Sequence, residues 1–241
     1  MTRDGRSGPR ILGSIVVGLA TALAVVGIAI ALFFNPVWVG FEQDRTNAAA
    51  WTGYTPDQVH VVTNDILREV YLGPGTFAQT VNGAPVFAER ERSHMADVRR
   101  VVVVFFGAAL LAALFLLVSG LFSRGGAWWW RAVSRGAALL AIGGGIVGVA
   151  FMFFFEQAFT IFHEIFFAAG TWTFDPATDR LVQLFPDAFW TETSVAIAIV
   201  GVVLTSTIWA LARRLADRAE WKASMVPMAP ATPVGPGTRA R

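Results

Sequence analysis

The chain has 241 residues, of which 55% are hydrophobic and only 15% are charged, and it contains no cysteine. This composition is too apolar for an ordinary soluble domain, and the missing cysteine excludes disulfides, thiolate catalysis and cysteine-linked lipid. The formal net charge of +2 gives no support for nucleic-acid binding.

Four long apolar runs without charge divide the chain, and they cover residues 11–34, 101–122, 136–155 and 195–212. Each run is long enough to cross a hydrocarbon core of roughly 30 Å as an α-helix that rises about 1.5 Å per residue. The first run is too long for a secretory signal core and lacks a small-residue cleavage site. The sequence therefore predicts an all-α membrane protein with four transmembrane helices over 11–34, 99–122, 136–155 and 193–212.

The charged residues between the runs predict the orientation of the four helices. Arginine and lysine are in excess in the segments 1–10, 123–135 and 213–241. By contrast, 35–98 carries eight acidic residues against four arginines, and 156–192 carries six against one. Because basic segments remain in the cytoplasm, both termini are expected there and the two acidic segments are expected to face outward.

The first outer segment, 35–98, is long enough to form a small extracytoplasmic cap. Thr55 precedes a proline and an aspartate, which predicts a helix with Thr55 as its N-cap, and apolar residues continue at helical spacing to Leu72. Asn82-Gly83 predicts a turn within a short, weakly extended stretch.

Three further segments have informative compositions. The second outer segment, 156–192, begins with closely spaced phenylalanines and is expected to form an aromatic interfacial element at head-group depth. Four glycines between Gly143 and Gly148 in the third run include a Gly-x-x-x-Gly, which predicts close helix packing. The end of the chain, 225–241, is rich in proline, alanine and glycine and is expected to be a disordered tail.

Two of the three histidines lie where membrane spans meet the same predicted outer interface. His94 precedes the second run and His163 follows the third, and imidazole titrates near neutrality, so the two are candidates for an acid–base pair. Asp97, one helical turn after His94, is expected to orient its ring. The structural alternative is a solvated helix end for His94 and a simple interface anchor for His163. His60 is expected to be an ordinary surface residue.

Arg99 and Arg100 begin the second span on the predicted outer side, against the usual bias. They either snorkel to lipid phosphates or contact an anionic substrate head group. The sequence lacks the motifs of nucleotide binding, zinc proteases and serine hydrolases, and three histidines without cysteine give little support for a metal or haem site. No metal or cofactor is therefore expected.

Three stretches beside the spans form an ordered pattern. The first stretch, within 89–98, is a glutamate followed by His-Met-x-Asp-Val, and it opens the second span. The second stretch is Phe-His-Glu-Ile-Phe-Phe at 162–167, and it follows the third span. The third stretch covers 172–189, begins with Trp-x-Phe-Asp-Pro and precedes the fourth span. This pattern resembles the Lit family of lipoprotein intramolecular transacylases, which are bacterial four-span membrane proteins.

The resemblance implies an acyltransferase of the bacterial plasma membrane, active on its outer face. Such an enzyme moves the sn-2 acyl chain of a diacylglyceryl-cysteine to the α-amino group of the same cysteine. His94 and His163 would be the functional pair. From the chemistry of the transfer, His163 is the expected base and His94 acts on the oxygen side, with the reverse order left open. Arg99, Arg100 and Trp172 are the predicted substrate contacts. The expected partners are diacylated lipoproteins and membrane phospholipid. Another lipid acyl-transfer enzyme, or a non-enzymatic membrane interaction protein, stays open as an alternative.

Overall fold

The structure is a computed structural model that describes residues 7–225, so most of the predicted tail lies outside it. In chain order its elements are α1 (Ser7–Ala31), α2 (Pro36–Arg45), α3 (Ala48–Thr52), α4 (Pro56–Tyr71), β1 (Thr80–Val81), β2 (Ala84–Pro85), α5 (Glu89–Phe122), α6 (Ala127–Phe153), α7 (Phe155–Phe166), α8 (Arg180–Leu184) and α9 (Asp187–Ser224). Helices α1, α5, α6 and α9 are long and apolar enough to cross a bilayer. The predicted all-helical, four-span architecture is therefore confirmed.

Three of the long helices extend beyond their apolar runs. Helix α5 begins at Glu89, ten residues before the predicted span, α6 begins at Ala127, and α9 continues to Ser224. A helix satisfies its own backbone hydrogen bonds in water as well as in lipid, so an apolar run marks the hydrocarbon region and not the helix ends. The short connection 123–126 joins the end of α5 to the start of α6, so the start of α5 and the end of α6 lie on the same side of the bundle.

Helix α1 is the central element of the bundle. It packs against α5, α6 and α9, while α6 and α9 form the most extensive helix pair. Helix α5 packs mainly against α1 and the cap helix α4. The side chains that point away from these contacts are large and aliphatic, as expected of a surface that faces lipid tails; examples are Leu19, Leu111, Leu139 and Val203.

Small residues allow α1 and α6 to approach closely, but at a different place from the one predicted. A Cβ on Gly136 would lie 2.4 Å from the carbonyl oxygen of Gly18, so the two backbones are in direct contact there. Gly143 and Gly145 face open space, and only Gly148 of the predicted glycine cluster meets another helix, at Ala198. The predicted packing motif is thus largely wrong, because helix phase turns most of the cluster away from its neighbours.

The cap is built on α4, and its local structure confirms the prediction for Thr55. The Thr55 hydroxyl accepts a hydrogen bond from the Gln58 backbone N–H, and the Gln58 side chain accepts one from the Thr55 N–H, which completes a capping box. The short hairpin of β1 and β2 turns at Asn82-Gly83, where both residues have positive φ. The buried cap core contains Val59, Val62, Ile66, Val70, Phe77, Val86 and Phe87.

The later part of the segment between α6 and α9, around α8, belongs to this cap. Leu181 and Leu184 of α8 belong to the same buried core. The Gln43 side chain donates to the Leu184 carbonyl oxygen at 3.0 Å and accepts from the Thr63 hydroxyl at 2.8 Å. One buried amide therefore joins α2, α4 and α8.

Helix α7 follows α6 after a break at Phe154, whose φ of −133° and ψ of 43° are not helical. One face of α7 carries His163 into the protein, and the other leaves Ile161, Ile165 and Phe166 exposed. An amphipathic helix with exposed aromatic and aliphatic residues is typical of one that lies in the membrane interface. This agrees with the predicted aromatic interfacial segment.

Gly136→Ala is expected to destabilise the protein by about 1–3 kcal/mol, because the added methyl group forces α1 and α6 apart. Gly143→Ala is the matched control, since nothing lies within 4 Å of the added Cβ. The control is expected to be neutral or slightly stabilising, because alanine favours a helix by up to about 1 kcal/mol over glycine. Thermal unfolding of both variants in one detergent tests this, and equal unfolding temperatures would contradict the α1–α6 contact.

Candidate active site

His94 and His163, which lie on different helices, come together beneath the cap. His94 lies on the second turn of α5 and is 5% exposed, and His163 lies on α7 and is 8% exposed. Their rings are nearly parallel, at 23°, with centroids 6.0 Å apart. The two rings are close enough for one substrate molecule to contact both.

Aromatic side chains enclose the histidine pair. Phe167 contacts both rings, at centroid distances of 4.8 Å from His94 and 5.3 Å from His163. The other neighbours are Phe174 beside His94, and Phe159, Phe162 and Trp172 beside His163. This enclosure excludes water from two titratable groups, which favours their neutral forms.

A hydrogen bond to the backbone determines which ring nitrogen of His163 carries the proton. The Nδ1 atom of His163 is 2.7 Å from the carbonyl oxygen of Phe159, which can only accept a hydrogen bond. Nδ1 must therefore carry a proton, and in the neutral ring Nε2 has a free lone pair. Burial lowers the pKa of His163 from its usual 6.5, although the bond to Phe159 opposes that shift. His163 is thus neutral at pH 7, with Nε2 ready to accept a proton.

His94 differs from His163 because it lacks an orienting partner. Its Nδ1 atom is buried and has no hydrogen-bond partner within the described residues. The expectation that Asp97 orients this ring is wrong: the Asp97 carboxylate instead accepts a hydrogen bond from Arg100 at 2.9 Å. Arg100 is one turn further along α5 and reaches Asp97 over the exposed helix surface, so the carboxylate is satisfied away from the imidazole.

The two arginines predicted to contact substrate have other partners. Arg99 donates to the carbonyl oxygens of Glu69 and Gly73, at 3.1 and 3.0 Å. These carbonyls lie at the C-terminal end of α4, where helix carbonyls lack intrahelical donors. Arg99 therefore joins the cap to α5. Arg100 pairs with Asp97 and is largely exposed, so neither arginine lies in the enclosure around the histidines.

Trp172 does lie in that enclosure. Its ring centroid is 5.0 Å from that of His163, with the planes tilted by 36°. Its Nε1 atom is buried and has no hydrogen-bond partner in the described part of the chain. Among the three predicted substrate contacts, Trp172 is the one that the fold brings to the histidine pair.

A buried carboxylate within the motif that opens the second span positions the loop bearing Trp172. Glu91 is 2% exposed, and its two carboxylate oxygens accept from the backbone N–H groups of Ala88 and Leu181, both at 2.7 Å. The bond to Ala88 caps α5, and glutamate at the third helical position is the recognisable signal for such a cap. The bond to Leu181 fastens α8 to α5, and no local pattern could have predicted it.

An ion pair beside Glu91 reinforces the same connection. The Arg90 guanidinium pairs with the buried Asp179 carboxylate, which also accepts from the Asp175 backbone N–H at 2.6 Å. Arg90 also lies over the Phe174 ring, 5.1 Å from its centroid. The first turn of α5 thus holds the C-terminal end of the loop that covers His94.

The arrangement combines a neutral imidazole whose lone pair is free, a second neutral imidazole and a buried indole N–H in a largely dry enclosure. General acid–base chemistry on an uncharged ester or amine needs these components. The exposed apolar face of α7 lies next to them, so a lipid-borne substrate could reach the pair from the membrane interface.

Comparisons with known proteins agree with this architecture. The profile of the family described as lipoprotein intramolecular transacylase Lit matches residues 14–190, a region that includes both histidines. The chain is also similar to the in meso structure of the membrane integral lipoprotein intramolecular transacylase Lit from Bacillus cereus. The two sequences are 19% identical, and the TM-score is 0.74. The match covers 90% of the present chain and 100% of the Bacillus cereus chain.

A structure of the Bacillus cereus protein with one histidine replaced by alanine is similarly related. The variant is 18% identical to the present chain, with a TM-score of 0.72. The match covers 88% of the present chain and 96% of the variant chain. A comparison with curated proteins gives no match.

Glu91→Gln is expected to destabilise the fold by about 1–3 kcal/mol, because an amide NH₂ would then face one of the two buried N–H donors. Glu89→Gln is the matched control: its side chain is exposed and its ion pair with Arg92 contributes at most about 1 kcal/mol. Thermal unfolding in one detergent measures the difference. Equal unfolding temperatures for the two variants would show that Glu91 does not fasten α8.

Nuclear magnetic resonance of ¹⁵N-histidine-labelled protein is expected to find His163 as the Nδ1–H tautomer at neutral pH. Because burial disfavours the charged ring, its protonation midpoint should lie below 6.5. The chain has three histidines, so His163→Gln assigns the signal. The denatured protein, in which the ring is hydrated, is the control; an Nε2–H tautomer or a midpoint above 6.5 in the folded protein would contradict the geometry.

Proposed function

The chain belongs to the lipoprotein intramolecular transacylase Lit family, and we propose that it moves the sn-2 acyl chain of a diacylglyceryl-cysteine to the α-amino group of that cysteine. Members of this family are acyltransferases. The observation that carries the proposal for this chain is the pair of buried imidazoles, 6.0 Å apart, inside an aromatic enclosure next to the membrane interface.

The proposed transfer begins with the neutral amine, whose ammonium form releases one proton to water at the interface. As the nitrogen lone pair attacks the carbonyl carbon of the sn-2 ester, His163 Nε2 accepts one of the two remaining nitrogen protons. A carbon–nitrogen bond forms and the carbonyl electron pair moves to oxygen. The Nδ1–H tautomer imposed by the Phe159 carbonyl supports this role, because it leaves Nε2 as the basic atom.

The proposed second step returns a proton to the glycerol oxygen. The tetrahedral adduct collapses and the carbon–oxygen bond breaks. His94 donates a proton to the departing alkoxide as the proton that His163 gained in the first step passes to His94, so the pair ends in its starting state. The buried, unpartnered Nδ1 of His94 supports this assignment, since it has no competing protein partner.

Positioning supplies much of the rate in this proposal. The acyl donor and the amine belong to one substrate molecule, so the chemical step is intramolecular from the outset. A nucleophilic serine or cysteine is not needed to store the acyl group. We assign no metal or cofactor to the reaction, because amine attack on an ester needs only proton transfer and stabilisation of the oxyanion.

The substrate and the membrane side follow from charge and position. The histidine pair lies at the start of α5 and beyond the end of α6, and the basic loop 123–135 joins the other ends of these two helices. By the positive-inside rule, we place the pair on the outer face, with both termini in the cytoplasm. The proposed substrates there are diacylated lipoproteins, embedded among membrane phospholipids.

Mass spectrometry of a diacylated lipoprotein, incubated with the purified protein in lipid, tests the proposal. The wild-type protein is expected to convert diacylglyceryl-cysteine to the N-acyl, S-monoacylglyceryl form. The product has the same total mass as the substrate, and its altered fragment masses identify the migration of the acyl chain. His94→Ala and His163→Ala should each slow the conversion by about 10²–10⁴-fold, because each removes a proton-transfer group.

His60→Ala is the matched control for these variants. His60 lies on the cap surface, where it pairs with Asp44 at 2.9 Å, and the conversion rate of this variant should be unchanged. Conversion that persists in the double variant of His94 and His163 would refute the assigned roles. A wild-type protein that converts no lipoprotein would instead favour another lipid acyl transfer or a non-enzymatic membrane function.

A further inference from the structure

The indole of Trp172 is a buried hydrogen-bond donor without an acceptor. Its Nε1–H can donate but cannot accept, so it can be satisfied only by an oxygen or another acceptor atom. Nε1 is buried, yet the described residues offer it no partner. Buried polar groups in proteins are normally paired, and an exception points to an acceptor that arrives from outside the chain.

Two other indoles, those of Trp129 and Trp38, have acceptors within the described residues. Trp129 donates from Nε1 to the Ser119 hydroxyl at 3.0 Å, and Trp38 donates to the Thr193 hydroxyl at 3.1 Å. Both of these side chains join neighbouring helices. Trp172 differs from them in that its donor remains unused at the histidine pair.

The position of Trp172 is compatible with one particular acceptor. Its ring lies 5.0 Å from that of His163, so a substrate group held by His163 lies near the indole as well. In the proposed reaction that group is the ester under attack by the amine. Its carbonyl oxygen gains negative charge in the tetrahedral adduct, and a fixed N–H in a dry site stabilises that charge.

The protein holds this donor in place before substrate arrives. The loop that carries Trp172 is bound at its far end by the Asp179 carboxylate, which pairs with Arg90, and by the bond from Leu181 to Glu91. Oxyanion stabilisation depends on such preorganisation, because donors that must first rotate into place contribute less.

We propose that the Nε1–H of Trp172 donates a hydrogen bond to the carbonyl oxygen of the substrate ester and stabilises the oxyanion formed by amine attack. This assignment rests on the proposed acyl transfer. It requires no transfer of the indole proton: the carbonyl electron pair moves to oxygen when the carbon–nitrogen bond forms and returns when the carbon–oxygen bond breaks. Trp172 is thereby a catalytic residue with a role distinct from those of the two histidines.

The test compares single-turnover conversion of a diacylglyceryl-cysteine lipopeptide by the wild-type protein and by three variants. Trp172→Phe keeps an aromatic ring but removes the donor, and it should slow the chemical step by about 10²–10³-fold. Replacement of Trp172 by 3-benzothienylalanine keeps the bicyclic shape with sulfur in place of N–H, and it should slow the step to a similar degree. Trp129→Phe is the control for loss of a buried indole elsewhere, and it should keep the wild-type rate.

A second readout separates the donor role from a structural one. The ¹⁵N spectrum of His163 in Trp172→Phe should keep the Nδ1–H tautomer, which shows that the enclosure is intact while the rate has fallen. Wild-type rates in the benzothienylalanine protein would overturn the assignment, because shape alone would then suffice. A Trp172→Phe rate within about threefold of wild type would also overturn it while leaving the proposed transfer in place. If the wild-type protein converts no lipopeptide, the proposed function fails and the assignment falls with it.

Discussion

The buried carboxylate of Glu91 joins two backbone segments that are distant in sequence, and the rest of the candidate site depends on this connection. One carboxylate oxygen caps the start of α5, and the other accepts the backbone N–H of Leu181 in α8. The loop between α7 and α8 is thereby held over His94, where Phe174 and Trp172 complete the aromatic enclosure. The same residue thus determines where the transmembrane helix begins and where the cover of the site lies.

The enclosure gives the histidines their chemical character. An imidazole in water is partly protonated near neutrality, whereas one surrounded by aromatic rings is disfavoured in its charged form. At His163 the Phe159 carbonyl adds a second constraint, since it selects the tautomer with a free Nε2. Apolar packing and one backbone bond together produce a neutral, oriented imidazole without an acidic partner of the kind found in catalytic triads.

The membrane imposes a different constraint on the same chain. The four long helices satisfy their backbone hydrogen bonds internally and expose aliphatic side chains outward, as lipid requires. The polar contacts that join segments are concentrated in the cap, at Gln43, Glu91, Asp179 and Arg99. The histidine pair lies between these two regions, with the exposed apolar face of α7 beside it. A substrate with acyl chains in lipid and a reacting head group at the interface matches this division.

The sequence by itself determined the four spans, the cap helix from its Thr55 N-cap and the two histidines, because apolar runs, capping residues and family motifs are local features of the chain. It did not determine the partners of the polar residues. Asp97 bonds Arg100 instead of His94, Arg99 bonds carbonyl oxygens at the end of α4, and the close approach of α1 and α6 occurs at Gly136, outside the glycine cluster. Helix phase and the packing of α8 onto α5 decided these contacts, and both depend on residues far apart in the chain. The burial of Glu91 and the unused donor of Trp172 are likewise properties of the tertiary structure, since a side chain becomes buried only when distant segments cover it.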